Sequence, residues 1–223
     1  MIASPSAEVS AQRNISAERL GAEARSAPEQ ADIWVRLAIA EGRRKRFTPA
    51  VAALSRARAL RPADPAIHHV LGRMLFQISQ FRRAEVAFTA AIAFQHDHAE
   101  AYFYLGRSLG SQRRFSDALH ALKRAVFLAP FWPAPASFSG TCHFLLNRHD
   151  EAARQFLRAI ALDPKAADVH LIYGRALLRA GNRAIAEAQL ARAVDLKPTL
   201  AKSREFLLLT LCVADMKEDL RSG

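Results

Sequence analysis

Cysteine is scarce in this sequence, since Cys142 and Cys212 are the only two among 223 residues and they form no CxxC pair. Their number and spacing exclude a disulfide framework and indicate a reducing compartment. No apolar run approaches the ~20 residues that a membrane-spanning helix needs. The N-terminus also lacks the basic stretch followed by an apolar stretch that marks a signal peptide. These absences predict a cytoplasmic protein without a membrane span.

Motifs of common enzymes are missing as well. The chain has no P-loop, no dinucleotide-binding fingerprint, and neither a GxSxG nor an HExxH motif. Cys142 is followed by His143, but adjacency in sequence does not place a nucleophile against its base. Histidines occur together at residues 68–69 and 96–98 without the i, i+4 spacing of a helical zinc site. We therefore predict no enzyme activity, no catalytic residue, no metal and no cofactor.

Positive charge is in excess and is unevenly distributed. The formal net charge is +11 and the isoelectric point is near 10.6. Residues 31–130 contain 16 basic and 7 acidic side chains, whereas residues 131–223 contain 13 and 10. Such a field attracts acidic partners and weakens as salt is added. Because the chain has no RNA-recognition motif of aromatic and glycine residues, the expected partner is an acidic protein segment and not a nucleic acid.

A 34-residue period runs through residues 31–200 without insertion or deletion. Four sets of residues recur at this period: Pro28, Pro62, Pro130, Pro164 and Pro198; Ala38, Gly72, Gly106, Gly140 and Gly174; Ala50, Ala84, Ala118, Ala152 and Ala186; and Ala57, Ala91, Ala125, Ala159 and Ala193. Apolar residues between them follow the spacing of two amphipathic helices per period. The small residues let helices approach closely, and each proline ends a second helix. One hairpin cannot bury its apolar stripe alone, so an all-α stack of hairpins is predicted.

The third period shows the pattern most completely, with Tyr102-x-x-Leu105-Gly106-x-x-Leu109 in its first helix and Pro130 at its end. In these residues the sequence resembles the tetratricopeptide-repeat (TPR) family. The resemblance implies a right-handed α-solenoid of five tandem 34-residue helix-turn-helix repeats. Their expected bounds are 31–64, 65–98, 99–132, 133–166 and 167–200.

The segments on either side of the repeats have their own expected structure. Residues 1–13 are expected to be disordered, as terminal residues often are. Residues 14–30 are expected to form a partial N-terminal helix, since Leu20 and Pro28 fit the period. Residues 201–223 are expected to form a capping helix and tail, because a solenoid needs a polar-faced cap at its end.

The resemblance also implies a concave binding groove, lined by the first helix of each repeat. At the positions that contact peptides in the family, this chain interleaves arginines with aromatic residues: Arg36, Arg43, Arg73, Phe76, Tyr104, Arg107, Phe138, Arg175 and Arg179. Guanidinium groups bind carboxylates through two parallel hydrogen bonds, and aromatic faces suit peptide side chains. An acidic or extended peptide segment is therefore the expected ligand. The alternative is a solvated surface on which Asp32, Glu100 and Asp168 pair with the arginines.

Two further features concern the basic residues. The family's carboxylate clamp for chaperone C-termini is missing, because this chain has no Lys at the fifth position and no Asn at the ninth position of any repeat.

The turns between paired helices are expected to form a basic edge, made of Arg44, Lys45, Arg46, Arg113, Arg114 and Arg148. Phosphates or anionic lipids suit such an edge, although basic turns commonly serve solubility alone.

The function indicated by these features is that of a protein–protein interaction scaffold or adaptor. The alternative is a substrate-recruiting or regulatory module of an enzyme system, a transferase or hydroxylase that acts in trans or from a longer chain. Homo-oligomerisation is left open, because the groove of one copy could take the N-terminal segment of another.

Overall fold

The computed structural model describes residues 17–202. Within this range the chain forms eleven α-helices, a short 3₁₀ helix and no strand. The helices are α1 (17–26), α2 (Ala31–Arg43), α3 (Phe47–Leu60), α4 (Pro65–Gln77), α5 (Phe81–Phe94), α6 (Ala99–Ser111), α7 (Phe115–Leu128), α8 (Pro133–Leu145), α9 (His149–Leu162), α10 (Ala167–Arg179) and α11 (Arg183–Leu196), and the 3₁₀ helix is Pro198–Lys202. The predicted all-α fold is confirmed.

The predicted flanking segments are described only in part. Residues 17–26 are helical, within the partial helix that the sequence predicts over residues 14–30. The disordered segment predicted over residues 1–13 lies outside the described residues. So does the capping helix predicted from residue 201, apart from the two residues that complete the 3₁₀ helix.

The chain divides into two compact units, Met1–Leu128 and Ala129–Gly223. In the first unit, α2 pairs with α3, α4 with α5, and α6 with α7, while α3 also packs on α4 and α5 on α6. In the second unit, α8 pairs with α9 and α10 with α11. Each unit has its own core, centred on Leu54 and Phe88 in the first and on Phe156 and Tyr173 in the second.

Close approach of the two helices in a hairpin depends on one small residue of the first helix. A Cβ atom added at Gly72 would lie 2.7 Å from the ring of Phe88, and one added at Gly106 would lie 2.8 Å from Leu122. Gly174 meets Leu190 in the same way, at 2.8 Å. A bulky side chain sixteen residues later thus fills the space that the missing side chain leaves, which explains the glycine set found in the sequence.

The turns between paired helices share one backbone geometry. Each contains a residue in the left-handed region, and these residues are Lys45, Ser79, Arg113, Asn147 and Gly181, with φ between 59° and 80°. In each turn the next backbone N–H reaches back to a carbonyl five residues earlier, as from Arg46 to Glu41 and from Arg114 to Leu109. This is the Schellman arrangement that ends many helices, usually with glycine at the left-handed position. Four of the five turns form it with a residue that carries a side chain.

Three side chains, each at the fourth position of its repeat, form a hydrogen bond with the backbone carbonyl of the proline that ends the preceding segment. The indole N–H of Trp34 donates to the carbonyl of Pro28 at 2.9 Å. Nε2 of His68 lies 2.7 Å from the carbonyl of Pro62, and Nε2 of His170 lies 3.2 Å from the carbonyl of Pro164. These contacts give both histidines a structural role in joining one hairpin to the next.

Candidate functional site

Four of the predicted groove residues come together on α4 and α6 of the first unit. The guanidinium carbon of Arg73 lies 5.5 Å from the ring centroid of Tyr104. That of Arg107 lies 4.7 Å from the Phe76 centroid, 5.6 Å from the Tyr104 centroid and 5.7 Å from the Phe103 centroid. Cations at these distances are attracted by the ring quadrupoles. We call Arg73, Phe76, Tyr104 and Arg107 the arginine–aromatic cluster.

The rings of the cluster are held in place by the hydrophobic core. Tyr104 stacks on the fully buried Phe88 with a centroid distance of 5.6 Å, and Phe76 packs edge-on against Phe81 at 5.3 Å. Phe76 and Tyr104 also meet edge-on at 6.3 Å. Such aromatic pairs each contribute about 0.5–1.5 kcal/mol beyond the burial of their area. The surface that carries the two arginines is therefore fixed before a ligand arrives.

Carboxylates do not neutralise this cluster. Of the three acids that the sequence offered as partners, Asp32 pairs with Arg61 at 2.5 Å and Asp168 with Lys197 at 3.5 Å, while Glu100 lies 3.6 Å from Nε2 of His69. Neither Arg73 nor Arg107 has a carboxylate oxygen within 4 Å among the described residues. A guanidinium has five N–H donors, so one that lies over a ring without a carboxylate partner can still donate to a ligand.

His69 is a neighbour of the cluster that the groove prediction did not include. Its ring is buried, and its centroid lies 4.4 Å from that of His98 and 6.1 Å from that of Tyr104. Desolvation, followed by the nearby His98 and Arg73, lowers the pKa of His69 to about 4. The ring is therefore neutral at pH 7, even though its Nε2 atom lies 3.6 Å from Oε2 of Glu100.

The remaining predicted groove residues do not join the cluster. Arg36 and Arg43 are exposed on α2, and neither makes a ring contact among the described residues. Phe138, Arg175 and Arg179 belong to the second unit, Phe138 half-buried on α8 and the two arginines on α10. The groove predicted over all five repeats stays a prediction.

The predicted basic edge is partly neutralised by acidic neighbours. Arg44 and Arg46 lie 3.4 and 3.3 Å from the two carboxylate oxygens of Glu41. Arg114 pairs with both Glu85 and Asp117 at 2.8 Å, and these hydrogen bonds raise its pKa. Lys45 and Arg113 occupy the left-handed turn positions, and Arg148 is exposed at the start of α9 in the second unit. Paired charges of this kind serve solubility and turn structure better than phosphate binding.

Cys142 and His143 show no features of a nucleophile and base. Cys142 is buried on α8, and burial raises the pKa of its thiol to about 12, so the thiolate is not populated at neutral pH.

Among residues 17–202, no group of three or more His, Cys, Asp or Glu side chains is arranged to hold a metal ion. None of the helices in that range combines the length and hydrophobicity needed to cross a membrane.

Comparison with known proteins defines the class. The model of a family described as tetratricopeptide repeat matches residues 69–136 and 143–201, more than half of the chain. The protein belongs to the tetratricopeptide-repeat family, and its helical hairpins form the α-solenoid fold predicted from the sequence. This membership supports the class of protein–protein interaction scaffolds.

Particular relatives agree with this class. The Hsp70-Hsp90 organizing protein of Triticum aestivum is 32% identical over 93 residues, which are 42% of this chain and 16% of that protein. This chain therefore matches less than a fifth of the length of that relative.

Solved structures share the fold at lower identity. The crystal structure of YrrB, described as a TPR protein with an unusual peptide-binding site, is 22% identical over 87% of this chain and 98% of its own, with a TM-score of 0.65. A thermophilic TPR protein of Thermus thermophilus, TTC0263, is 20% identical over 83% and 99% of the two chains, with a TM-score of 0.68. MamA (41-end) of Desulfovibrio magneticus RS-1 is 19% identical over 76% and 96%, also with a TM-score of 0.68.

Proposed function

We propose that this protein is an interaction scaffold whose arginine–aromatic cluster binds an extended acidic segment of a partner protein. The observation that carries the proposal is the environment of Arg73 and Arg107. Both guanidinium groups lie over aromatic rings, and neither has a carboxylate partner among the described residues. The turn arginines differ, since Arg44 and Arg114 pair with Glu41 and Glu85.

The chemistry of the cluster supports an acidic peptide as the ligand. A carboxylate can accept two parallel hydrogen bonds from the edge of a guanidinium that is already stacked on a ring. The faces and edges of Phe76 and Tyr104 can meanwhile contact the apolar parts of the same segment. Because ring stacking orients the arginines in advance, less side-chain entropy is lost when the partner binds.

A chaperone C-terminus is not the partner that we propose, although one relative is named as an organizing protein for Hsp70 and Hsp90. The clamp that the family uses for such tails needs a lysine at the fifth position of a repeat and an asparagine at the ninth. In this chain the two positions on α4 are His69 and Arg73, and on α6 they are Phe103 and Arg107. His69 is buried and neutral, so it does not replace the lysine.

The proposal is tested with a fluorescein-labelled ten-residue peptide of glutamate, aspartate and glycine, titrated in fluorescence anisotropy at several salt concentrations. We expect Arg73→Ala combined with Arg107→Ala to weaken binding at least tenfold and to flatten the dependence of affinity on salt. Combining Arg73→Lys with Arg107→Lys retains the charge but removes the bidentate fork, so it should restore only part of the affinity.

The matched control carries Arg56→Ala and Lys123→Ala, which remove the same charge from exposed positions on α3 and α7. We expect this control to bind like the wild type. If control and cluster variants lose affinity equally, the peptide responds only to net charge and the proposed site is wrong.

A further inference from the structure

A cavity of about 260 Å³ lies in the first unit, between α3 and α5, with α4 beneath it. Its floor is apolar and consists of the buried residues Leu71, Leu75 and Ala87. Its rim carries three arginines, Arg58 from α3 and Arg82 and Arg83 from α5. We call it the arginine-rimmed cavity.

The arginine-rimmed cavity and the arginine–aromatic cluster lie on different sides of α4. Leu71 and Leu75 line the cavity together with residues of α3 and α5, whereas Arg73 lies over the Tyr104 ring of α6 and takes no part in the lining. Leu71 and Arg73 are two residues apart, so their side chains point roughly 200° apart around the helix. A ligand in the cavity therefore does not compete for the same side chains as a ligand on the cluster.

The size and lining of the cavity suit one apolar side chain. Cavities that take drug-sized ligands measure ~300–1,000 Å³, so about 260 Å³ is small for such a molecule. Val86 extends the apolar floor to the rim, with 69% of its surface exposed. Burying a leucine or phenylalanine side chain against this floor removes apolar surface from water and is therefore favourable.

The charge at the rim is not compensated within the described residues. Arg58 and Arg82 have no carboxylate partner in that part of the chain, and Arg83 donates to the neutral side chain of Gln80. The nearest acid along α5 is Glu85, and its two oxygens accept from Arg114 and Gln112 at 2.8 Å. Three positive charges around an apolar opening attract a ligand that carries negative charge next to its apolar group.

The repeat itself does not require these arginines. At the position of Arg58, the second helices of the other four repeats have Ile92, Val126, Ile160 and Val194. At the positions of Arg82 and Arg83, α9 has Asp150 and Glu151, as suits the first turn of a helix. The basic rim is thus a property of the residues that α3 and α5 carry in this chain and not of the fold.

We propose that the arginine-rimmed cavity is a second docking site, which takes one aliphatic or aromatic side chain of an acidic protein segment. The carboxylates on either side of that apolar residue pair with Arg58, Arg82 and Arg83 at the rim. The site thus selects a sequence with an apolar anchor between acidic residues, a requirement that the arginine–aromatic cluster does not impose.

The test uses two labelled nine-residue peptides that differ only at the centre, where one has leucine and the other alanine between four acidic residues on each side. With the full chain we expect the leucine peptide to bind at least tenfold more tightly than the alanine peptide. On binding, the methyl NMR signals of Leu71, Leu75 and Val86 should shift. Equal affinities, or methyl signals that stay in place at saturation, would overturn the proposal.

Variants assign the preference to the cavity. Arg58→Ile introduces the residue type of the matching position in α5 and α9, so the fold is retained, and it should reduce affinity for the leucine peptide at least fivefold. Arg82→Ala should also reduce affinity for the leucine peptide. The control Arg56→Ala changes an arginine two residues before Arg58 on α3 and outside the rim, and it should leave the affinity unchanged.

A second set of variants separates the cavity from the arginine–aromatic cluster. Combining Arg73→Ala with Arg107→Ala should leave the preference for leucine over alanine intact, and loss of that preference would place the anchor on the cluster instead. A control that loses as much affinity as Arg58→Ile would also refute the site.

Discussion

Among single residues, His69 has the most unusual surroundings. It is buried beside His98 and Arg73, and its Nε2 atom has no hydrogen-bond partner within the described residues. Glu100 lies 3.6 Å away, but its carboxylate is more than half exposed and does not offset the cost of burying an imidazolium. The folded state therefore disfavours the protonated ring.

This environment predicts a pH dependence of stability. In the unfolded chain His69 binds its proton below about pH 6.5, whereas in the folded chain it does so only near pH 4. Between these values the unfolded state holds more protons, so the free energy of unfolding falls as the pH falls. From pH 7 to pH 4 this group alone should remove up to roughly 3 kcal/mol. Urea titrations at successive pH values measure the effect.

The control for this experiment is His69→Phe, which places there the aromatic residue found at the matching position of the next repeat, Phe103. Because phenylalanine does not titrate, the variant should lose less stability than the wild type between pH 7 and pH 4. Identical losses in the two proteins would show that His69 is accessible to water and titrates normally.

Helical spacing decides which of the predicted groove residues share one face of a helix, while their role in binding stays a prediction. Arg73 and Phe76 share a face because they are three residues apart, and Tyr104 and Arg107 repeat that spacing on α6. Two of the acids that the sequence offered as partners of the groove arginines pair elsewhere: Asp32 and Asp168 each pair with a base 29 residues later, and Glu85 shows the same separation from Arg114. Asp32–Arg61 and Asp168–Lys197 join the same two positions of their repeats, so this pairing was a usable signal once the repeat was known.

At the scale of elements, the sequence showed that small residues recur but not what each of them faces. Gly72 has the full width of the Phe88 ring against it, and Phe88 is itself stacked on Tyr104. Neither ring can move aside without disturbing the other. The contact cannot be read from the sequence, because it depends on the distance between two helix axes.

The contact predicts opposite effects for two identical substitutions. Gly72→Ala would place a Cβ atom 2.7 Å from Phe88, and overpacking of this kind costs about 1–3 kcal/mol. Gly21→Ala on α1 meets only the end of the Arg25 side chain at 3.8 Å, so the better helix propensity of alanine should add about 0.5–1 kcal/mol. Urea unfolding followed by circular dichroism measures both, and a stabilising Gly72→Ala would contradict the packing described here.

For the whole molecule, the division into two compact units was not predicted. The 34-residue period runs through residue 128 without interruption, so sequence periodicity alone marks no boundary there. The second unit begins just before the segment Phe131-Trp132-Pro133-Ala134-Pro135, the most irregular start of any first helix in the chain. The alternative role in an enzyme system stays a prediction, as does the location in the cytoplasm.

This division predicts that the first unit folds independently. A fragment of residues 1–128 contains the core around Leu54 and Phe88, and the stability of a repeat array is mainly the sum of its repeats and the contacts between neighbours. We expect the fragment to be helical and to unfold cooperatively, with a urea dependence weaker than that of the full chain because less surface is exposed. A fragment without a cooperative transition would show that residues 129–223 are required for the first core.

The sixteen-residue separation between each close-packed glycine and its bulky partner also governs how quickly the chain can fold. Bringing together two points so close in sequence costs little loop-closure entropy, and the cost rises only slowly with length. Proteins whose contacts are local fold in microseconds to milliseconds, whereas those with distant strand pairings take much longer. Each hairpin can therefore collapse on itself before its neighbours are in place, and while the rest of the polypeptide is still being synthesised.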